Sequence, residues 1–211
     1  MRHLLSLIIA LAAATAASAQ RIDSLFAAVP ASVCPMLDRN TRLDMLDLYD
    51  YNMKAKGDNI FGGESVMTYK SDALIRISLT PVSRWELLLL KNDTATVIAS
   101  IHTIQSPAAE SRLTLYDTAW HPLPVPPMPE LAIKDFMSQT DSTNTDSTSL
   151  IAHKLQLQHP EMTWEETANG QALLRLSIST AALGLEDRKA AAACLRPVFL
   201  KMVPGPAFKR R

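Results

Sequence analysis

Between Glu64 and Trp120 the apolar residues recur with a period of two, and the gaps between runs leave room only for tight turns. The runs are ESVMTYK, ALIRISLT, RWELLLLK, TVIASIHTI and SRLTLYDTAW, separated by SD, PVS, NDTA and QSPAAE. Gaps this short join antiparallel neighbours, because a parallel pair needs a crossover of about a dozen residues. A meander is therefore expected. ELLLLK is apolar on both faces, which suits a central strand covered on two sides.

Helical spacing precedes this stretch. RIDSLFAAV is a short amphipathic piece ended by Pro30. A longer helix is expected up to Lys56, capped by Asn40 or Thr41, with Asp44 as capping-box partner of Thr41 and Gly57 as terminator. Leu43, Leu46, Tyr49 and Met53 form its apolar stripe. After Trp120, HPLPVPPMPE reads as a stiff linker, ELAIKDFM as a short helix, and residues 138–149 as a disordered polar loop. HKLQLQ reads as a strand. Asn169-Gly170 marks a hairpin, Thr180 caps a helix through Cys194, RPVFLKMV closes as a strand and PGPAFKRR is a tail. The expected class is α+β: antiparallel sheet in meander order, an N-terminal helical segment and a C-terminal helix. Residues 20–211 are expected to form one domain, with sub-halves 22–121 and 128–203.

The first 19 residues read as a signal peptide. Arg2 and His3 precede the apolar run LLSLIIALAAATAA, which is short for a bilayer span, and Ala17 to Ala19 suit a peptidase cutting after Ala19. No later stretch is long and apolar enough to span a membrane. An exported periplasmic or extracellular protein is expected. Lys plus Arg and Asp plus Glu both number 21, so no basic field exists to gather nucleic acid. In an exported chain Cys34 and Cys194 are either one disulfide or two separate buried thiols.

Catalytic plans find little support. His102, His121, His153 and His159 have no metal-ligand spacing, so neither a metal nor a cofactor is expected. No nucleophile elbow, Walker A loop or dinucleotide fingerprint occurs. The remaining cluster is Asp44, Asp47 and Asp50 in RLDMLDLYDYNM, three residues apart and opposite the apolar stripe. They read as a solvated face, with Lys54 placed to pair with Asp50. As catalytic candidates they are the only nameable group. Asp-Ser/Thr pairs recur and resemble the O-glycan acceptor motif of Bacteroidetes, with Ser142 and Ser147 as the expected acceptors; such pairs also serve as turn residues.

RLDMLDLYDYNM, FGGESVMTY and IHTIQSPAAESRLTLYDTAW together resemble an exported Bacteroidales family of unknown function, from about Leu25 to Val203. The resemblance implies export to a Gram-negative envelope and a single integrated domain, and it brings no catalytic residues. The Ser/Thr tract and basic tail depart from it. The expected function is a non-enzymatic envelope protein binding a protein or glycan partner through a sheet face or loops. The alternative is a periplasmic hydrolase using dispersed carboxylates or a serine. A pocket gathering two or more of the aspartates with His102 or another polar group would favour the enzyme.

Overall fold

A computed structural model of the chain describes residues 21–91, 95–105, 108–138, 145–155, 159–203 and 207–210. Seven strands form the larger sheet in chain order: β1 (Lys56–Asp58), β2 (Glu64–Lys70), β3 (Leu74–Thr80), β4 (Ser83–Lys91), β5 (Thr96–Gln105), β6 (Ala109–Tyr116) and β7 (Pro122–Leu123). Each is antiparallel to the next. A smaller sheet holds β8 (Glu161–Glu166), β9 (Ala172–Ser177), β10 (Val198–Val203) and β11 (Ala207–Arg210), ordered β11-β10-β9-β8. The helices are α1 (Ile22–Ala27), α2 (Arg39–Asp50), α3 (Thr145–Leu155) and α4 (Leu185–Cys194), with a 3-10 turn at Ile133–Phe136.

The layers follow from strand alternation. Trp85, Leu87 and Leu89 of β4 face α1 and α2, packing with Ile77, Ile98, Phe26 and Met45. Leu88 points the other way, to a second core shared with Trp164, Leu174 and Leu200 of the smaller sheet. The run ELLLLK is thus covered on both sides, as its composition requires. Ile151, Leu155, Leu183 and Ala191 form a third cluster joining α3 to α4.

Docking of the second sheet depends on one strand edge. β8 lies at the edge of its sheet, so alternate residues turn backbone groups away from β9. Those groups meet side chains of the larger sheet. Ser111 Oγ accepts from Met162 N at 2.9 Å, and Glu86 Oε2 accepts from Trp164 N at 2.8 Å. Arg84 donates to the Met162 carbonyl, and Arg76 to that of Trp164. Side chains of β3, β4 and β6 here take the place of a missing neighbour strand. Glu86, fully buried, also accepts from Thr163 Oγ1 at 2.7 Å and pairs with Arg84 Nε at 2.9 Å and Arg76 Nε at 3.4 Å.

Several expected boundaries move. Asp38, not Asn40 or Thr41, caps α2, its carboxylate accepting from Thr41 N at 2.7 Å. The helix ends at Asp50, six residues short of Lys56, and residues 56–58 become β1. Gly57 therefore does not stop a helix. A Cβ there would lie 2.3 Å from Thr41 Cγ2, so glycine permits the close approach of β1 to α2. The buried positions of α2 are Arg42, Met45 and Leu46, while Met53 is exposed beyond its end. Arg42 enters the core because its guanidinium donates to the carbonyls of Leu37, Ala27 and Val29, which gather the loop after α1 around it.

In the second half, ELAIKDFM gives only the 3-10 turn. α3 begins at Thr145, inside the stretch expected to be disordered, and runs through His153 to Leu155, where a strand was expected. The apolar pair Ile151 and Leu155, four residues apart, meets α4 and decides for helix. α4 starts at Leu185 behind Gly184 rather than behind Thr180. The Asn169-Gly170 hairpin forms between β8 and β9, and the tail supplies β11. Cys34 and Cys194 are free thiols in different clusters, the first under α1 and α2, the second beside α4, so no bridge joins them. Burial raises the Cys34 thiol above its ordinary range.

Candidate functional site

The three aspartates of α2 do not converge. All are exposed. Asp50 accepts from Lys70 Nζ at 2.9 Å; Lys70 also reaches Asp23 at 3.2 Å and so ties α1 and α2 to β2. Lys54 bonds to Glu64 at 2.8 Å instead of to Asp50. Asp44 borders a cleft of about 430 Å³ with Thr41, Lys56, Gly57, Asp58 and Glu64, and neither Asp47 nor Asp50 lines it. Hydrogen bonds from Lys54 and Lys56 pull Glu64 down to about 2. A carboxylate so depressed stays ionised near neutrality, whereas a general acid needs a raised value. Among the described residues no group of three or more His, Cys, Asp or Glu is placed to hold a metal.

His102 sits far from these carboxylates. α2 packs on β1 and β2, and three strand spacings of about 4.8 Å put β5 roughly 14 Å from β2. Its ring stacks on Trp85 with centres 5.4 Å apart, and Trp85 Nε1 donates to Ser100 Oγ at 2.9 Å. Burial, then the charge of Arg112, pushes His102 down to about 4. The sign follows from linkage. The unfolded chain takes up the proton near pH 6.5 and the folded one only near 4. Stability contributed by neutral His102 is complete above pH 6.5 and falls as the pH drops towards 4, by about 2 kcal/mol after discounting for solvent screening. Urea midpoints over this range should show the slope, and His102→Gln should flatten it; an unchanged slope in the variant contradicts the assignment.

The other histidines are dispersed. His121 pairs with Asp117 at 3.0 Å on an exposed turn, His153 lies on α3 and His159 precedes β8. Ser142 lies outside the described residues, and Ser147 falls within α3.

A different feature gathers at one end of the larger sheet. In a meander, alternate turns share an end, so the β1–β2, β3–β4 and β5–β6 connections lie at the same end, each two strand spacings from the next. The β1–β2 loop is built inside out. Asn59 is buried, with Nδ2 donating to the Leu79 carbonyl at 3.1 Å and to Ser65 Oγ at 3.3 Å. Its Oδ1 accepts from the backbone of Phe61 at 3.0 Å and of Gly63 at 3.2 Å. Gly62 completes the turn at φ +75°, a conformation that favours glycine. Ile60 N donates to the Met36 carbonyl at 3.1 Å, seating the loop on the segment before α2. The polar residue points inward while Ile60 and Phe61 stand 63% and 76% exposed. At the same end of the sheet, two to three strand spacings along, Val82 of the β3–β4 turn and Ile104 of β5 are also exposed, linked by a bond from Gln105 N to the Val82 carbonyl at 2.8 Å. Four apolar side chains thus line one end of the sheet on a hydrogen-bonded scaffold.

Sequence reasoning missed Glu86, Arg42, Asn59 and this row. Glu86 and Arg42 were visible as charges followed, two and four residues on, by the apolar Leu88 and Leu46. GDNIFGG carries the loop: two large apolar residues between Asn and Gly-Gly.

Comparisons with known proteins give a family and a fold. The family described as "Protein of unknown function (DUF3256)" matches residues 14–201. A solved domain of an uncharacterized protein from Porphyromonas gingivalis W83 is similar in fold, with a TM-score of 0.65 at 22% identity. The match covers 90% of this chain and 97% of that one. No curated protein matches.

Proposed function

The chain belongs to the family described as "Protein of unknown function (DUF3256)", and from that premise we propose an exported, non-enzymatic envelope protein that binds a protein or glycan partner through the hairpin ends of its larger sheet. The observation that carries this reading is the inverted β1–β2 loop. Folding alone would turn Ile60 and Phe61 inward and Asn59 outward, because burial of a large apolar side chain is worth about 1.5–3 kcal/mol. Here the polar side chain is buried and fully bonded so that the apolar ones are displayed. Large exposed apolar groups on a rigid base are the usual anchors of interfaces. Export is supported by the basic start, apolar run and small residues before Gln20. The alternative, a periplasmic hydrolase, would be favoured by a pocket gathering two or more of Asp44, Asp47 and Asp50, and the cleft beside α2 takes in Asp44 without the other two.

Site-specific photocrosslinking in the native envelope tests the reading. A photoreactive side chain at Ile60, Phe61, Val82 or Ile104 should yield one shared adduct, while Tyr51, Leu150 and Leu185, exposed elsewhere, should not. No adduct from the row, or the same adduct from the control positions, would contradict it.

A further inference from the structure

The loop between α1 and α2 encloses a second cleft, remote in chemistry from the exposed row. Its volume is about 470 Å³, within the range of small-ligand sites. Ala28, Val29, Ala31, Pro35 and Leu37 give it an apolar lining, and Arg42 and Arg39 border it.

Arg42 is the unusual member. It is 4% exposed, and the acceptors of its terminal nitrogens are the backbone carbonyls of Leu37, Ala27 and Val29. Its Nε has no hydrogen-bond partner among the described residues. Carbonyl dipoles satisfy donors but leave the full positive charge without a counter-charge, and buried charges are normally paired. The nearest acid, Asp38, commits its carboxylate to Thr41 N and acts on Arg42 only through space. Burial lowers the guanidinium from its ordinary value, consistent with an uncompensated cation. The first turn of α2, which carries the positive end of a 12-residue helix, faces the same cleft.

We propose that this cleft binds a small apolar carboxylate, its charge paired with Arg42 and its hydrocarbon body against the alanine, valine, proline and leucine lining. Asp38 limits the site to one negative charge, because Arg39 and Arg42 together exceed it by one. A doubly charged phosphate would therefore be matched less well. Two sources carry this chemistry: a free medium-chain fatty acid and the C-terminus of an apolar peptide.

Amide-resolved NMR titration of the purified protein separates the outcomes. Sodium octanoate should give saturable shifts confined to amides between Ala27 and Arg42. Octanamide, which lacks the charge, should bind at least about tenfold more weakly. The peptide Ac-Ala-Val-Leu with a free carboxylate, set against its amide, assigns the source: binding of octanoate alone indicates a fatty acid, and binding of the peptide acid indicates a chain terminus. Arg42→Gln removes the charge, but the residue also holds three carbonyls. Ala31→Trp, filling the cleft from an exposed position, should abolish the shifts while leaving the rest of the spectrum in place. Equal affinity for acid and amide, shifts spread outside the cleft, or none at all would overturn the proposal. Binding of octanoate should survive Phe61→Asp, so the outcome is independent of the hairpin-end reading.

Discussion

Glu86→Ala should lower the folding stability by about 3–5 kcal/mol, the range for breaking a buried charge network by removing one member. The carboxylate is fully buried, accepts from Thr163 Oγ1 and Trp164 N, and forms ion pairs with Arg84 and Arg76. Alanine would leave the partly buried Arg76 guanidinium without its counter-charge, Arg84 with Glu161 as its remaining partner, and a strand-edge amide without an acceptor, each a penalised state. The loss should fall on the docking of β8, because the groups stranded are those that hold its free edge. Glu86→Gln keeps the shape and some hydrogen bonding, so its loss should be smaller. Urea unfolding measures both: a shifted midpoint with unchanged slope is expected. A shift below about 1 kcal/mol for the alanine variant would mean that the smaller sheet is held by the shared apolar core alone.

The larger sheet was legible because its information is local. Period-two runs joined by two- to six-residue gaps admit little besides a meander; β2 to β5 fall within one residue of the expected runs, while β6 ends at Tyr116, four residues before its run does. Boundaries set by tertiary contacts were not legible. α2 stops at Asp50 because the chain must turn to lay β1 against β2, although Tyr51, Met53 and Lys54 are compatible with continuing a helix. α3 was hidden by a polar composition, and its fold rests on Ile151 and Leu155 meeting a helix more than 30 residues away. Glu86 was hidden for a similar reason. A carboxylate in an apolar strand reads as a solvent-facing position until a second sheet arrives over it.

For the candidate site the balance differs. The aspartates were prominent in sequence, and their reading as a solvated face agrees with their exposure, though Lys70 rather than Lys54 pairs with Asp50. The row at the sheet end was not readable as a group. Ile60, Phe61, Val82 and Ile104 are separated by up to 44 positions and come to one end of the sheet only through the alternation of the hairpins. What sequence did carry was the inversion within GDNIFGG, where Asn beside Gly-Gly offers a buried hydrogen-bonding hub and leaves the apolar pair outside.

That inversion makes the second large effect specific. Phe61→Asp should weaken partner binding by about 30-fold or more, the loss typical of a central interface anchor. Its effect on folding should stay within about 0.5 kcal/mol, because the side chain is 76% exposed and contributes only its backbone N–H to the loop's internal bonds. The decisive measurement places a photoreactive residue at Ile104 in a chain that also carries Phe61→Asp and retains the parent urea midpoint. The account predicts that the adduct seen from Ile104 with Phe61 intact is lost; an adduct at undiminished yield would contradict the claim that these hairpin ends form one binding surface.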